Sequence, residues 1–373
     1  MSFRFDPPYA FLSGANHRWN SAPRAHLARD RNSAYHLSRV TSKNETSSST
    51  SGQAPYAPGI HAIVGPTASG KSALGISLAL RLGGEIINCD SVQVYREIEI
   101  ATAKVPLAER CGVPHHLIDF VSPHLNFTAA DWARAAIEKI EEIEARGNTT
   151  FLVGGTGFYL RALRRPFFPS PPTDEKLRAR LTGIREARGP EHLHGILRRF
   201  DPGEAEKLNA RDWPRVQRAI EFCLQTGSPI SQERPLRPEP PAIASRLRII
   251  ALNPPRNELY ERINERTEKH FAAGLVQEVE QLLSKGVPAS SNAMGAHGYR
   301  RVVEYLSGRR TLESAIEQTK LDVRHYAKRQ LTWFRHEADV EWLDGFGEDP
   351  AVQEQSMSLL RCEPENTEDR KFP

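Results

Sequence analysis

Short apolar runs alternate with longer amphipathic stretches through the middle of the chain. Four runs have the length of buried strands, at 61–64, 85–89, 148–153 and 246–252. Between and after them, apolar residues recur every three or four positions, which is the period of a helix packed on one face. Strands that alternate with helices form a parallel sheet covered on both faces. The pattern therefore predicts an α/β fold.

A different pattern occupies residues 166–242. Proline-rich stretches bound this segment, and between them lie four predicted helices without a strand, at 174–187, 190–200, 203–209 and 212–226. We interpret the segment as an all-helical domain inserted into the α/β core. The two parts of the core are then 57–165 and 243–346, the second of which ends in a predicted helix at 316–335.

The two ends of the chain lack this regularity. Residues 1–56 are rich in Ser, Asn, Arg and Pro, and residues 347–373 are mostly polar. Such segments bury too little apolar surface to offset the entropy lost on folding. We therefore expect a disordered tail at the first end and a loosely ordered polar tail at the second. The Arg-rich, acid-poor character of the first segment leaves organellar targeting as the alternative.

Composition narrows the class of protein. The chain has 373 residues, of which 39% are hydrophobic and 26% charged, as in soluble proteins of one or two domains. It contains no apolar run of about eighteen residues, so no membrane helix is predicted. Four cysteines without zinc or disulfide spacing fit a reducing compartment, and we expect a cytoplasmic monomer. A net charge of +4 does not by itself indicate a nucleic-acid partner.

The loop after the first predicted strand carries the strongest motif. Residues 65–72 read Gly-Pro-Thr-Ala-Ser-Gly-Lys-Ser, the pattern G-x-x-x-x-G-K-[ST], and a predicted helix follows. Glycines let such a loop wrap tightly, so that its N–H groups and the helix N-terminus point at one anion. Lys71 supplies a positive charge, and Ser72 offers a hydroxyl ligand for Mg²⁺. We predict a P-loop, with the sheet of P-loop NTPases, that binds a phosphate compound through Gly65, Pro66, Thr67, Ala68, Ser69, Gly70, Lys71 and Ser72.

Two further polar residues follow predicted strands. Asp90 ends the second strand, and Thr156 follows the third in a Gly-Gly-Thr-Gly turn. Because the carboxyl ends of parallel strands share one edge, we expect both residues in the P-loop crevice. Asp90 is a candidate general base, with a helix cap or an indirect Mg²⁺ ligand as the alternatives. Thr156 is a candidate for binding a substrate amine or a phosphate oxygen, with a capping role as the alternative.

Basic residues recur at helical spacing near the end of the predicted core. Lys320, Arg324 and Lys328 share one helix face, Arg329 adds charge, and aromatic residues interleave. This composition suits a polyphosphate or a nucleic-acid backbone, and an ordinary solvated face is the alternative. Arg266 lies on an earlier predicted helix among glutamates, where internal ion pairs are the alternative to a binding role.

Together these segments resemble the tRNA dimethylallyltransferase family, also called tRNA isopentenyltransferases, over about residues 62–343. The P-loop and Asp-Ser-Val-Gln-Val-Tyr at 90–95 begin the resemblance. Leu-Val-Gly-Gly-Thr-Gly at 152–157, Pro-Arg-Val-Gln-Arg at 214–218 and Tyr-Ala-Lys-Arg-Gln-Leu-Thr-Trp-Phe-Arg at 326–335 continue it. Trp213 and His297 depart from the usual pattern. The chain also lacks the cysteine–histidine set of the zinc finger found in many eukaryotic members, which favours the bacterial type.

The resemblance implies transfer of a dimethylallyl group from dimethylallyl diphosphate to N6 of adenosine 37, in tRNAs that read codons starting with U. The P-loop then holds the diphosphate with Mg²⁺ on Ser72, and Arg266 contacts it. Asp90 matches the general base, Thr156 matches the residue that holds the amine, and Lys71 assists the leaving diphosphate. The inserted helices and the basic helix are expected to grip the anticodon stem-loop. The implied tRNA contacts are Asp90, Ser91, Val92, Gln93, Thr156, Arg178, Pro214, Arg215, Val216, Gln217, Arg218, Lys328 and Arg329.

Three alternatives share parts of this pattern. An adenylate isopentenyltransferase that acts on free AMP, ADP or ATP has the same P-loop, base and threonine, but does not need a large helical insertion. A small-molecule P-loop kinase uses an aspartate beside its nucleotide. A non-enzymatic nucleotide-binding module leaves the convergence of Asp90, Thr156 and Arg266 unexplained.

Overall fold

The computed structural model describes residues 59–361, so the predicted tail at 1–56 and residues 362–373 lie outside the described part of the chain. The described residues form one six-stranded sheet in which all strand pairs are parallel. The strands are β1 (Ile60–Val64), β2 (Gly84–Asn88), β3 (His115–His116), β4 (Thr149–Val153), β5 (Leu247–Asn253) and β6 (Val340–Asp344).

The strand order is β3-β2-β4-β1-β5-β6. The chain moves outward from β1 to β2 and β3, returns to β4 beside β1, and then continues on the opposite side with β5 and β6. The strand order thus reverses at β1, and the crevice at the carboxyl end of such a reversal is the usual ligand site of open α/β sheets. The loop after β1 therefore lies where a ligand is expected.

Helices surround the sheet and fill the connections. Those before β5 are α1 (Lys71–Leu82), α2 (Ala129–Ala145), α3 (Gly157–Arg164), α4 (Glu175–Arg188), α5 (Pro190–Phe200), α6 (Pro202–Ala205), α7 (Trp213–Thr226), α8 (Ile230–Glu233) and α9 (Ile243–Arg246). Those after β5 are α10 (Arg256–Ala272), α11 (Leu275–Ser284), α12 (His297–Leu306), α13 (Leu312–Arg335) and α14 (Pro350–Arg361). Single 3₁₀ turns lie at Ile100–Thr102, Leu107–Arg110 and Ala293–Gly295.

The sheet is buried on both faces because successive strand residues point to opposite sides. Ile60, Ala62 and Val64 pack into one apolar cluster with residues of α2, α3, α11 and α12. Ile63 packs into a second cluster with Leu74 of α1 and residues of α14. The mainly apolar sequence of these strands thus follows from helices on both faces, as the sequence predicted.

The segment from α4 to α8 has an apolar cluster of its own. Leu193 and Leu197 of α5 and Ile220 of α7 are fully buried there, and the residues of this cluster all come from 168–230. No strand lies within α4–α8, which are described throughout. Asp174 caps α4 by accepting hydrogen bonds from the N–H groups of Lys176 and Leu177. The helices therefore pack against one another around their own core.

The prediction of a loosely ordered polar tail after residue 347 is wrong for the described part of that segment. Residues 350–361 form α14, whose Val352, Met357 and Leu360 are buried in the second apolar cluster. The strand β6, which forms the sheet edge, was also not predicted. Burial against other elements stabilises both of them, and neither has a strong local sequence pattern. In residues 59–361, no helix is long and apolar enough to span a membrane.

Candidate active site

The loop from Gly65 to Ser72 joins β1 to α1, and its backbone curls around the helix N-terminus. Gly65, Ala68 and Gly70 have positive φ angles of 141°, 65° and 82°. Gly70 is also the residue before the first turn of α1, which contains no acidic residue. The helix dipole and the N–H groups of this turn therefore attract an anion. A cavity of 690 Å³ lies against the loop and is lined by Gly70, Lys71 and Ser72.

Three distant segments hold this loop in place. The N–H of Thr67 donates to Oε1 of Gln330 in α13 (2.8 Å), and Arg266 in α10 donates to the Thr67 hydroxyl. The N–H of Gly347, in the turn after β6, donates to the carbonyl of Ser69 (2.9 Å). A β-carbon on Gly70 would lie 2.7 Å from the nitrogen of Gly347, so only glycine permits this contact.

Two cations lie half-buried at the loop. The Lys71 ammonium donates to the carbonyl of Pro66 (2.5 Å), and burial lowers the pKa of Lys71 to about 8, although the nearby Asp90 carboxylate opposes the shift. Burial likewise lowers the pKa of Arg266, again against the attraction of Asp90. Burying cations without a full complement of anions is unfavourable. A bound diphosphate would compensate for both charges.

Asp90 lies just after β2 and contributes to the walls of two cavities. Its Oδ1 accepts hydrogen bonds from the N–H groups of Val92 (2.9 Å) and Gln93 (3.4 Å). One carboxylate oxygen therefore caps the turn at 90–93, where no helix begins. The residue still lines the P-loop cavity and the neighbouring cavity. A structural and a chemical role for Asp90 are thus compatible, since Oδ2 takes part in neither of these two hydrogen bonds.

Thr156 ties the turn after β4 to the turn after β2. Its hydroxyl accepts a hydrogen bond from the N–H of Ser91 (3.0 Å), and its own N–H donates to the carbonyl of Cys89 (3.2 Å). A β-carbon on Gly154 would lie 2.1 Å from that carbonyl oxygen, which explains the glycine. The threonine is partly exposed and lines a cavity with Asp90. The structure therefore brings together the two residues that the sequence placed in one crevice.

The second cavity, of 680 Å³, meets the P-loop cavity at a shared wall. Both are lined by Thr67, Asp90, Thr102 and Arg266. The second cavity is rich in aromatic side chains, including Tyr326. Burial first, and the Asp90 carboxylate second, raise the pKa of Tyr326, so its phenol stays protonated at neutral pH. A polar, cationic compartment and an aromatic compartment thus adjoin at Asp90.

Two histidines in the aromatic compartment are neutral at physiological pH. Burial and the neighbouring Arg266 lower the pKa of His270 to about 4. Burial lowers the pKa of His297 to about 4 as well, against the attraction of Asp322. The His297 ring lies 5.1 Å from the ring of Tyr326. Neither imidazole therefore adds charge to this compartment.

The residues near the P-loop fit one Mg²⁺ ion that is carried largely by a substrate. Ser72 follows Lys71 on the first turn of α1 and lines the 690 Å³ cavity against the loop. Within residues 59–361, no three His, Cys, Asp or Glu side chains are grouped to hold a metal by themselves. Mg²⁺ at phosphate sites takes few protein ligands and completes its shell with phosphate oxygens and water. A single hydroxyl beside a P-loop is such a donor set.

The predicted RNA contacts of the inserted helices have different surroundings. Val216 is fully buried, and Gln217 is only 4% exposed and donates to the carbonyl of Arg178 (3.1 Å), so direct side-chain contact with RNA does not fit either position. Arg178 donates twice to the buried carboxylate of Glu221 (both 2.9 Å). These side chains build the helical core. The exposed predicted contacts of this segment are Pro214 and Arg215.

Arg218 is partly exposed and contacts the proline-rich connection before α4. It donates to the carbonyl of Pro171 (2.8 Å), and it also pairs with Glu221 (3.4 Å). Among the predicted contacts after β2, Ser91 and Val92 line the aromatic compartment. Gln93 lines the P-loop cavity and donates to the carbonyl of Thr102 (3.0 Å).

The basic face of α13 divides into paired and unpaired cations. Lys320 forms ion pairs with Glu268 (2.6 Å) and Glu317 (2.7 Å), and Arg324 donates to Asn264 (3.1 Å). Lys328 and Arg329 are exposed, and no acidic residue of the described chain pairs with either. Lys328 and Arg329, in the second half of α13, are therefore the cations of this face that are available to bind a polyanion.

The sequence did not identify Gln330 as part of the site. This residue is 4% exposed, accepts from the N–H of Thr67, and donates from Nε2 to the carbonyl of Gly155 (2.9 Å). It therefore connects the P-loop to the turn that carries Thr156. No local sequence signal identifies it, because a glutamine on a charged helix is usually exposed.

Comparisons with known proteins agree with this geometry. A family model described as IPP transferase matches residues 93–337. A tRNA dimethylallyltransferase of Solibacter usitatus (strain Ellin6076) is 46% identical over 299 residues, which are 80% of this chain and 97% of the relative. A tRNA dimethylallyltransferase of Koribacter versatilis (strain Ellin345) is 43% identical over 304 residues, 82% and 98% of the two chains.

Solved structures give the same similarity. A tRNA isopentenylpyrophosphate transferase from Bacillus halodurans superposes with a TM-score of 0.59 and 39% identity, covering 81% of this chain and 94% of the other. A eukaryotic dimethylallyltransferase described as acting on tRNA superposes with a TM-score of 0.64 and 29% identity, covering 81% and 77% of the two chains.

Proposed function

Since the chain belongs to the tRNA dimethylallyltransferase family, we propose that it transfers a dimethylallyl group from dimethylallyl diphosphate to N6 of adenosine 37 in tRNAs that read codons starting with U. The observation that carries this proposal is the meeting of two compartments at Asp90. The cationic compartment suits a diphosphate, and the aromatic compartment suits an adenine and a prenyl chain. The reacting atoms would then lie between them.

In this proposal the P-loop binds the leaving group. Lys71, Arg266 and the N–H groups at the start of α1 contact the diphosphate, whose negative charge grows as the allylic C–O bond breaks. Mg²⁺, held by Ser72 and the diphosphate, would supply further neutralisation of that charge. Gln330 and Arg266 both fix Thr67, so the loop is already in position before the substrate arrives.

Asp90 and Thr156 act on the adenine. The N6 amine is a poor nucleophile because its lone pair is delocalised into the ring. As the N–C bond forms, the amine must lose a proton, and the carboxylate oxygen of Asp90 that does not cap the turn can accept it. Thr156 is locked to the Asp90 turn through Ser91, so its hydroxyl is positioned to orient the same amine. The products are N6-dimethylallyladenosine and diphosphate.

The RNA enters from the side of the aromatic compartment. Its target base must leave the stack of the anticodon loop to reach Asp90. Lys328 and Arg329 on α13, with Arg215 at the start of α7, are the exposed cations proposed to contact the backbone. The helices α4–α8, which have their own core, are the feature that an enzyme of free adenine nucleotides does not require.

The test is transfer of radiolabelled dimethylallyl diphosphate into an anticodon stem-loop that contains A36 and A37, with AMP and ATP in parallel reactions. We expect label in the RNA, and loss of that label when A37 is replaced by inosine. Label in the nucleotides alone would assign the chain to the free-nucleotide enzymes. Label in neither acceptor would contradict a prenyltransferase.

A further inference from the structure

Phe158 is an exposed aromatic residue at the rim of the aromatic compartment. It is the second residue of α3, two positions after Thr156, and 48% of its surface is exposed. The neighbouring Tyr159, by contrast, is buried and stacks against Trp132. Phe158 lines the same cavity as Asp90.

The ring of Phe158 is held from two sides. Phe167, in the connection before α4, lies 5.1 Å from it, and Trp333 of α13 meets it edge-on at 6.3 Å and 90°. Arg161 covers the Trp333 ring at 4.1 Å. A β-carbon on Gly157 would lie 2.1 Å from Trp333, so the glycine permits this close packing. An aromatic ring that is already fixed loses little entropy when a second ring stacks on it.

An unpaired cation lies at the same rim. Arg329 is one turn before Trp333 on α13, and its guanidinium lies 5.8 Å from the ring of Tyr326, which lines the cavity. The side chain is exposed and has no ion pair within residues 59–361. A fixed aromatic surface beside an available cation has the chemistry of a nucleotide site, with stacking for the base and charge for the phosphate.

We propose that Phe158 is a stacking platform for the nucleobase adjacent to the target adenosine. This inference rests on the proposed function, because it requires an RNA whose target base has left its stack. Flipping that base removes a stacking partner from its neighbour, and an aromatic side chain at the rim replaces the lost partner. Phe158 is thus a positioning residue that acts on RNA binding and not on the diphosphate.

The test compares four variants for stem-loop binding, prenyl diphosphate binding and turnover. Phe158→Leu keeps the apolar packing against Phe167 and Trp333 but removes the aromatic face, and we expect it to raise the stem-loop Kd about tenfold. Phe158→Ala should raise it at least as much, whereas Phe158→Trp should bind like the parent. The control is Leu107→Ala, which removes an exposed apolar side chain that lines none of the described cavities. The Kd for prenyl diphosphate should stay at the parental value in all four.

Two further stem-loops sharpen the test, each with a single abasic residue, one before and one after the target adenosine. If Phe158 stacks on that base, one abasic RNA should bind the parent and Phe158→Leu equally. An unchanged stem-loop Kd for Phe158→Leu, or a deficit that persists with both abasic RNAs, would overturn the inference. A variant that weakens prenyl diphosphate binding instead would place the ring in the prenyl pocket. Failure of the parent to prenylate RNA would contradict the proposed function itself, which is a separate outcome.

Discussion

At the scale of single residues, Asp90 combines two roles that the sequence could only present as alternatives. The motif located the carboxylate at the end of a strand, where capping and catalysis are equally common. The structure shows that Oδ1 accepts from Val92 and Gln93 while the residue lines both compartments. Which oxygen faces the cavity depends on the backbone of the turn, and no local sequence pattern encodes that detail.

The two roles of Asp90 can be separated by substitution. Asp90→Asn keeps an oxygen that can accept from Val92 but removes the base, so turnover should fall about 10²-fold or more at unchanged prenyl diphosphate affinity. Asp90→Ala removes the cap as well and should also lower the melting temperature. Steady-state rates with the stem-loop and thermal unfolding measure the two effects. Parental turnover in Asp90→Asn would exclude Asp90 as the proton acceptor.

Lys71 gives a prediction for pH dependence. The pKa of Lys71 is lowered to about 8, and binding a diphosphate favours the protonated form. Above this pH the Kd for prenyl diphosphate should therefore rise about tenfold per pH unit. The matched variant Lys71→Gln should bind weakly and lack this dependence. Titration of the free enzyme with a non-hydrolysable prenyl diphosphate analogue provides the measurement.

The loss of affinity at high pH should not reflect unfolding through this group. The folded-state pKa of Lys71 lies below its ordinary value of 10.5, so between these limits the unfolded chain binds more protons. Stability contributed by this residue therefore increases with pH in that window. A melting temperature that fell in parallel with the affinity in the parent, but not in Lys71→Gln, would contradict this assignment.

At the scale of elements, local periodicity predicted most of the helices and strands. It missed the elements that form only because they pack against distant parts of the chain. The strand β1, the helix α5 and the long helix α13 are continuous patterns and were predicted close to their observed bounds. The strand β6 and the helix α14 were missed, because Val352, Met357 and Leu360 are few and become informative only when packed against α1. The contact between Gln330 and Thr67 joins residues 263 positions apart, so no local reading can find it.

Gln330 shows how one helix controls a distant loop. Gln330→Leu removes both hydrogen bonds, the one from the Thr67 N–H and the one from Nε2 to the carbonyl of Gly155, and leaves these two backbone groups without that partner. We expect the Kd for prenyl diphosphate to rise about tenfold while stem-loop affinity stays parental. The control is Gln318→Leu on the same helix, where the glutamine donates to Asp322 away from the loop. Equal losses of both affinities would indicate a general packing defect instead.

At the scale of the whole molecule, the distribution of charge matters more than its sum. The net charge of +4 gives no decisive signal, and many cations are paired with acids, as Lys320 is with Glu268 and Glu317. The sequence could show the basic face of α13 but not which of its cations are paired with acids, because a partner such as Glu268 lies on another helix. The structure leaves Lys328 and Arg329 without acidic partners among residues 59–361.

The RNA contact of these two cations can be tested with Lys320, a paired cation of the same helix, as the control. Replacing Lys328 and Arg329 together by Ala should weaken stem-loop binding and reduce the slope of log K against log salt by roughly 1.5, because about two phosphate contacts are lost. Lys320→Ala should leave the slope near the parental value, since this ammonium already has two carboxylate partners. Prenyl diphosphate affinity should be unchanged in both variants. A double variant with the parental slope would place the RNA backbone elsewhere, and the helices α4–α8 would then have to supply the electrostatic part of the binding.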